Sequence, residues 1–318
     1  MSRQGTHKSL CRAMLTVALA AHAGVWIFLY LRMEPFHTFF CSFASWSFLI
    51  ALASWNELRS GGSFCLGQGK RIPFLLFVSI LLWLLFEVCN FRLLNWRYVG
   101  VPFEQSLRWV GYLAAYAAIL PTILEVERLF AALKLPGEKR ARPLLLDRGV
   151  QVRLALLGIL TILAALVSPE SAFALIWIGT LLLFDLLAFH LSPDSHAARL
   201  IEGDYSRLFR LVIVGFVCGL LSEFWNYWAG AKWIYSPPYF QFAKVFEMPI
   251  LGYLVFPFFA LTCFSAWQTA LALRDILARG RWTLRLLVLV AGLAFLGWAL
   301  SGIDRHAVAT YQVFRMGG

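Results

Sequence analysis

The sequence predicts an all-α, polytopic membrane protein, a bundle of about nine transmembrane helices. Of the 318 residues, 60% are hydrophobic and only 14% are charged, whereas a soluble domain has about 45–50% apolar and about 25% charged residues. The apolar residues fall in blocks of about 20, the length that crosses about 30 Å of hydrocarbon as a helix. Because lipid offers no hydrogen-bond partner to the backbone, helices are the expected form of these blocks.

The distribution of basic residues predicts the orientation of the chain. We expect nine spans, at residues 13–31, 36–55, 73–91, 107–130, 152–168, 172–190, 208–228, 249–273 and 283–302. With this assignment 20 of the 28 Lys and Arg residues lie on the same side as the N-terminus and 8 on the other side. Excess positive charge marks the cytoplasmic side, so we expect a multi-pass inner-membrane protein with a cytoplasmic N-terminus.

Two further features of composition concern targeting and partners. The net charge of +11 lies mostly in loops and is not accompanied by an RNA-binding motif. We therefore interpret it as a signal of membrane orientation and not of nucleic-acid binding. Ala21-His22-Ala23 resembles a signal-peptidase site, but the apolar run continues through Val25–Leu31. We therefore expect an uncleaved first helix in contact with the lipid bilayer.

A motif occurs twice and predicts an internal duplication. Glu87-x-x-Asn90 is followed by Trp96-x-Tyr98, and the same pattern returns 136 to 137 residues later as Glu223-x-x-Asn226 and Trp233-x-Tyr235. The third span matches the seventh, so the unit has four spans and keeps its orientation, as in a parallel repeat. The expected domains are 1–133 (first repeat), 134–150 (basic linker), 151–280 (second repeat) and 281–318 (extra helix and tail).

The Glu and Asn of each motif are candidate catalytic residues. They are three residues apart and share one helix face. A carboxyl group among Leu, Phe and Trp is expected to be neutral and able to donate a proton, with the Asn amide orienting it. Acids inside a membrane are functional candidates, although Glu and Asn also serve as interhelical polar contacts. Each motif is followed by a further candidate acid, Glu104 or Glu247.

Aromatic residues surround both acids. They form either a ligand-binding surface or an interfacial belt, since Trp and Tyr are enriched at the membrane–water boundary. The second copy has more aromatic residues than the first, because Trp225 and Trp228 replace Cys89 and Arg92 of the first copy. We therefore expect the second repeat to be the more functional half.

Other polar residues of the spans form no recognisable site. Asp185 is an isolated acid in the sixth span, and its role is either a polar contact between helices or part of a functional site. Its expected counterpart near the second span is Asn56 or Glu57. The six histidines and six cysteines are scattered, which predicts no metal centre. There is no Gly-rich nucleotide loop and no Gly-x-Ser-x-Gly motif.

The two motifs resemble the membrane lycopene cyclase domain of bacterial, fungal and archaeal enzymes. That family has an acid and an Asn at a helix end, then Trp-x-Tyr, then a Pro/Glu segment, here Pro102 and Glu104 or Glu247 and Pro249. The resemblance implies cofactor-free protonation of an isoprenoid double bond, followed by cyclisation or hydration. The residues it implies in substrate binding are Trp96, Tyr98, Trp225, Tyr227, Trp228, Trp233 and Tyr235.

Two other functions compete with an enzyme. Parallel repeats and intramembrane acids also occur in transporters and lipid-handling proteins, and a duplicated bundle can be a structural or assembly protein without chemistry. An acid–base enzyme requires that Glu87, Glu223 or both line a common apolar, aromatic cavity. The sequence leaves the substrate and the oligomeric state open.

Overall fold

The computed structural model describes residues 3–236, 239 and 242–313, with side chains described from residue 6 onward. The N-terminal residues 1–2 and the tail 314–318, including Arg315 of the charge count, lie outside the described residues. Within those residues the helices are α1 (Arg3–Tyr30), α2 (Phe40–Ser60), α3 (Phe64–Gln68), α4 (Ile72–Leu93), α5 (Gln105–Ala132), α6 (Arg148–Val167), α7 (Pro169–Ala172), α8 (Leu175–Leu191), α9 (His196–Ile201), α10 (Ser206–Trp228), α11 (Val255–Arg279) and α12 (Trp282–His306).

The expected helical membrane bundle is confirmed, with a smaller number of clear spans. Seven helical segments in the described part of the chain are long and apolar enough to cross a membrane. The predicted spans 36–55 and 172–190 correspond to α2 and α8, which are not among the seven. Helix α8 is apolar but has only 17 residues, and α2 carries Ser, Asn and Glu side chains that lower its hydropathy.

The helices pack in two sets that resemble each other. Helix α1 packs on α2 and α6 on α8; α5 contacts α2 and α4, while α11 contacts α8 and α10. The two sets meet where α10 contacts α2 and α5 and where α4 contacts α11. Helix α12 packs mainly on the outside of α4.

Short strands cross one end of the bundle. They are β1 (Trp96–Val99), β2 (Val101–Pro102), β3 (Lys232–Tyr235), β4 (Lys244–Val245), β5 (Met248–Pro249) and β6 (Tyr311–Gln312). Strands β1 and β3 pair antiparallel and form what we call the ribbon, in which Trp96 lies opposite Tyr235 and Tyr98 opposite Trp233. The two copies of Trp-x-Tyr are therefore direct neighbours, a contact that the sequence pattern did not predict.

Asn90 and Asn226 hold the ribbon to the helix ends. Asn90 donates from Nδ2 to the Trp96 carbonyl at 2.9 Å and accepts from the Asn95 amide at 2.9 Å. Asn226 bonds both backbone groups of Trp233, at 2.8 and 2.9 Å. The expectation that the Asn amide orients the neighbouring Glu is wrong, because the ribbon backbone uses both amide groups.

Two acids of the bundle, the buried Glu125 and the half-buried Asp185, cap short helices. Glu125 of α5 is fully buried and accepts hydrogen bonds from the Cys65 amide at 2.7 Å, the Ser63 hydroxyl at 3.0 Å and Asn56 at 2.7 Å. Asp185 of α8 accepts from the amides at 196 and 197, both at 2.9 Å, at the start of α9. A carboxylate at a helix N-terminus satisfies amides that lack an intrahelical partner. Asp185 therefore has a structural role, and Asn56 belongs to the matching cap in the other set of helices.

Replacing Glu125 by Ala is expected to destabilise the protein strongly. The change leaves several buried donors without an acceptor, and each costs about 1–3 kcal/mol. We expect a loss of at least about 3 kcal/mol in the free energy of unfolding, measured by denaturation in detergent micelles. Glu127→Ala on the same helix is the control, because Glu127 forms a partly exposed ion pair with Arg210 worth about 0–1 kcal/mol. Equal losses in both variants would contradict the capping role.

Candidate functional site

An apolar cavity of about 460 Å³ lies beneath the ribbon, between the two sets of helices. This volume is within the usual range of small-molecule sites, about 300–1,000 Å³. Aromatic side chains form much of its wall: Phe39, Trp83, Trp96, Tyr98, Tyr112, Tyr116, Phe173, Trp177, Trp225, Trp233, Tyr235, Tyr239, Phe256 and Phe259.

The cavity is long as well as apolar. Its lining residues on α5 run from Arg108 near the ribbon to Ile123. At a rise of about 1.5 Å per residue these positions are about 22 Å apart along the helix. A cavity of this shape fits an elongated, apolar molecule.

Glu223 is the acidic residue in the described lining of this cavity. It is fully buried. Its Oε1 accepts hydrogen bonds from Tyr235 Oη at 2.6 Å and Trp233 Nε1 at 3.0 Å. Its Oε2 is buried and has no hydrogen-bond partner among the described residues. The ribbon thus fixes one carboxyl oxygen of Glu223 and leaves the other without a bond to the described residues.

Glu87 lies behind the cavity wall and is absent from the described lining. Its Oε1 accepts from Tyr98 Oη at 2.5 Å, Trp83 Nε1 at 2.8 Å and Trp96 Nε1 at 3.1 Å, with Tyr116 Oη at 3.5 Å. All four donor residues line the cavity. The expectation that one of the two acids lines an apolar, aromatic cavity is met by Glu223, while Glu87 reaches it only through its hydrogen-bond donors.

Two residue differences account for this asymmetry. At the motif offset of 136 residues, Trp83 corresponds to Gly219. Gly111-Tyr112-Leu113 of α5 returns 141 residues later as Gly252-Tyr253-Leu254, and this offset pairs Tyr116 with Pro257. Two of the side chains that enclose Glu87 therefore have no equivalent around Glu223. A Cβ on Gly219 would come within 2.3 Å of the Phe256 ring, so the small residue is required there.

The ribbon hydroxyls remain protonated. Burial, and next the Glu87 carboxyl, raise the pKa of Tyr98 well above its ordinary value. Burial and then the Glu223 carboxyl do the same to the pKa of Tyr235. Both tyrosines are therefore hydrogen-bond donors to their acids across the usual pH range.

The remaining predicted residues divide between the cavity and the surface. Trp225 lines the cavity with the ribbon aromatics. Tyr227 and Trp228 are 43% and 48% exposed and lie outside its described lining, so they take no part in the wall of this cavity. An interfacial position suits such exposed aromatic residues at a helix end.

The two acids after the motifs also lie outside the described lining. Glu104 is exposed at the start of α5, without a side-chain capping bond. Glu247 pairs with Lys232 Nζ at 2.5 Å. This ion pair occupies the Glu247 carboxylate, so its predicted catalytic role is not supported by its position.

Sequence reasoning missed several residues of the site. Trp83 precedes Glu87 by four residues and so shares its helix face, a spacing that could have identified it. Tyr112 and Tyr116 have the same spacing on α5, and their rings stack at 5.9 Å. No pattern in the sequence pointed to Trp177, whose ring stacks on Phe86 at 4.5 Å.

Further unpaired polar atoms belong to residues of the cavity wall. Asn95 Oδ1, Tyr112 Oη and Thr122 Oγ1 are buried without a described hydrogen-bond partner, and all three residues line the cavity. A buried polar atom without a partner is rare in folded proteins. Such atoms mark a place where a ligand or water completes the hydrogen bonding.

No group of three or more His, Cys, Asp or Glu residues in the described part of the chain could hold a metal ion. His22 of α1 forms hydrogen bonds with Ser47 Oγ at 2.8 Å and with Trp26 Nε1 at 3.2 Å. His22 is thus engaged in the packing of α1 on α2.

Comparison with known proteins gave no relative: no protein-family model, curated protein or solved structure matches this chain.

Proposed function

We propose that the chain is a membrane enzyme that protonates a double bond of a lipid-soluble isoprenoid and so starts its cyclisation or hydration. Glu223 is the proposed acid. The observation that carries the proposal is its unpartnered Oε2 in the wall of a long, apolar cavity. Acid–base chemistry of this kind needs no cofactor.

The walls of the cavity favour a substrate that becomes cationic. Transfer of the Glu223 proton forms a C–H bond from the π electrons of the alkene and leaves a carbocation on the neighbouring carbon. The faces of Trp and Tyr attract cations, by about 2 kcal/mol or more when water is excluded. A second double bond of the same chain closes a ring onto the cation, or water captures it. Trp96, Trp225 and Trp233 line the site at which this cation would form.

We also propose that the fold is a duplication related to the membrane lycopene cyclase domain. The twofold occurrence of Glu-x-x-Asn and Trp-x-Tyr, the paired ribbon strands and the matching packing of α2 with α5 and α8 with α11 support this. Each proposed repeat has four spans, α12 is additional, and the excess of Lys and Arg supports a cytoplasmic N-terminus in an inner membrane.

A transporter or lipid-handling protein is the alternative, since a long apolar cavity can also carry a lipid without changing it. A duplicated structural or assembly protein without chemistry is a second alternative. Of the three, only the enzyme alters the covalent structure of an isoprenoid.

Lipid analysis of cells that make acyclic isoprenoids tests the proposal. Extracts of cells with the wild-type protein, with Glu223→Gln and without the protein are compared by liquid chromatography and mass spectrometry. We expect a cyclised product of unchanged mass or a hydrated product 18 mass units heavier, about one water, in wild-type cells alone. Glu202→Gln, an exposed change at the end of α9, is the matched control and should retain the product. Identical isoprenoid profiles with and without the protein would overturn the proposal.

A further inference from the structure

Three side chains form a continuous chain of hydrogen bonds from the cavity wall to Glu87. The hydroxyls of Tyr116 and Tyr98 are 2.9 Å apart, and the Tyr98 hydroxyl is 2.5 Å from Glu87 Oε1. Tyr98 and Tyr116 line the cavity, and Glu87 does not. Tyr98 belongs to the ribbon, Tyr116 to α5 and Glu87 to α4.

The hydrogen bonds in this chain have one direction. Tyr98 donates its only hydroxyl proton to Glu87. It can therefore only accept from Tyr116, which must be the donor in their contact. Each proton in the chain is thus directed toward Glu87, and the Tyr116 oxygen at the start of the chain keeps a lone pair that can accept a proton.

The environment of Glu87 suits a carboxylate that receives a proton. Hydrogen bonds from N–H and O–H groups stabilise the charged form of a carboxyl group. With the Tyr116 proton directed to Tyr98, Glu87 Oε1 has three such donors, whereas Glu223 Oε1 has two. Environments that differ in this way commonly divide two carboxyl groups into an acid and a base.

We propose that Glu87 is the base of the same reaction and acts through the hydroxyls of Tyr98 and Tyr116. This inference rests on the proposed function, in which Glu223 is the acid. In the duplicated motif one copy then supplies the proton and the other removes it. Tyr116 is the catalytic residue that faces the cation, and Glu87 is the final acceptor.

The step balances in atoms and electrons. A C–H bond next to the cationic carbon breaks, and its electron pair becomes a new C=C bond. The proton goes to the Tyr116 oxygen, the Tyr116 proton moves to the Tyr98 oxygen, and the Tyr98 proton moves to Glu87, which becomes a neutral acid. One proton enters the substrate from Glu223 and one leaves to Glu87. Exchange of both carboxyl groups with water between turnovers restores the starting state.

The test is the Tyr116→Phe variant, assayed as purified protein in lipid–detergent micelles with the acyclic polyenes lycopene and squalene. This variant keeps the ring and removes the hydroxyl that begins the relay. We expect turnover to fall by about a hundredfold or more, as for loss of a general base, with the remaining product shifted to other double-bond isomers or to the alcohol formed by water capture. Glu87→Gln should give the same shift. The double variant should be no slower than either single one, because the residues act as one unit.

Tyr253→Phe is the matched control, since its hydroxyl bonds the Val245 carbonyl and lies outside the described cavity lining. Thermal unfolding of each variant separates loss of fold from loss of the relay. A Tyr116→Phe enzyme with wild-type rate and product pattern would overturn the relay while leaving the acid role of Glu223 intact. A wild-type protein that converts neither polyene would instead count against the proposed function itself.

Discussion

Replacing Glu223 by Gln is expected to lower turnover by at least about a hundredfold, the usual contribution of a general acid. Gln has nearly the shape of Glu and keeps an oxygen that can accept the bonds from Trp233 and Tyr235. It has no acidic proton to give to a double bond. The rate is measured on purified protein with an acyclic polyene, with the cell extracts as an independent check.

The fold of this variant should be retained. The two ribbon donors keep an acceptor, so we expect its thermal unfolding midpoint to stay close to that of the wild type. Glu223→Asp retains an acid that is one methylene shorter and should recover part of the rate. A Glu223→Gln protein with undiminished turnover would exclude Glu223 as the proton donor.

Replacing Arg108 by Ala is expected to cost about 3–5 kcal/mol in the free energy of unfolding, the usual effect of breaking a buried ion pair. Arg108 Nε and Nη2 bond the Asp304 carboxylate at 2.7 and 2.8 Å. Arg108 Nη1 bonds the carbonyls of Pro102 and Phe103. The Arg108 side chain is only 6% exposed. The guanidinium thus connects α5, β2 and α12, and its loss leaves the Asp304 charge with its Trp109 and Gln105 contacts alone.

A double-mutant cycle in detergent micelles measures this interaction. Asp304→Ala should destabilise the protein by a similar amount, and the double variant should be much less destabilised than the sum of the two. Arg305→Gln, an exposed change on the same helix, should alter the free energy by less than about 0.5 kcal/mol. Additive effects of the two single changes would show that the ion pair does not hold α12 to the bundle.

The sequence predicted the helical elements of the bundle well, because long apolar segments in a membrane have one favourable backbone form. The expected spans 107–130 and 283–302 correspond to α5 (Gln105–Ala132) and α12 (Trp282–His306). The short helices α3, α7 and α9 were not predicted, since an apolar pattern of fewer than seven residues carries little periodicity. Their starts depend on distant partners, such as Glu125 for α3.

The site was predicted in part. The two Trp-x-Tyr pairs come together in the ribbon, and Glu223 of the second copy lines the cavity. The pattern could not show that β1 and β3 pair with each other. Nor could it show that the Asn amides serve the ribbon backbone, because a spacing of three residues defines a helix face and not a hydrogen-bond partner.

The difference between the two acids depends on residues outside the motif. Trp83 and Tyr116 close the wall in front of Glu87, and Gly219 and Pro257 stand at the corresponding positions of the second copy. A comparison restricted to Glu, Asn, Trp and Tyr within the motif treats the copies as equal. Only the packing of α4, α5 and α10 separates Glu223, which lines the cavity, from Glu87, which lies behind its wall.

Deuterium transfer from solvent is the most direct measurement of whether Glu223 protonates an isoprenoid. Purified protein is equilibrated in D₂O so that its carboxyl groups exchange, and acyclic polyene is then added. We expect about one deuterium on carbon in each product molecule, detected by mass spectrometry, and no labelled product from Glu223→Gln. Product formed without carbon-bound deuterium, or equal labelling by the Glu223→Gln protein, would contradict it.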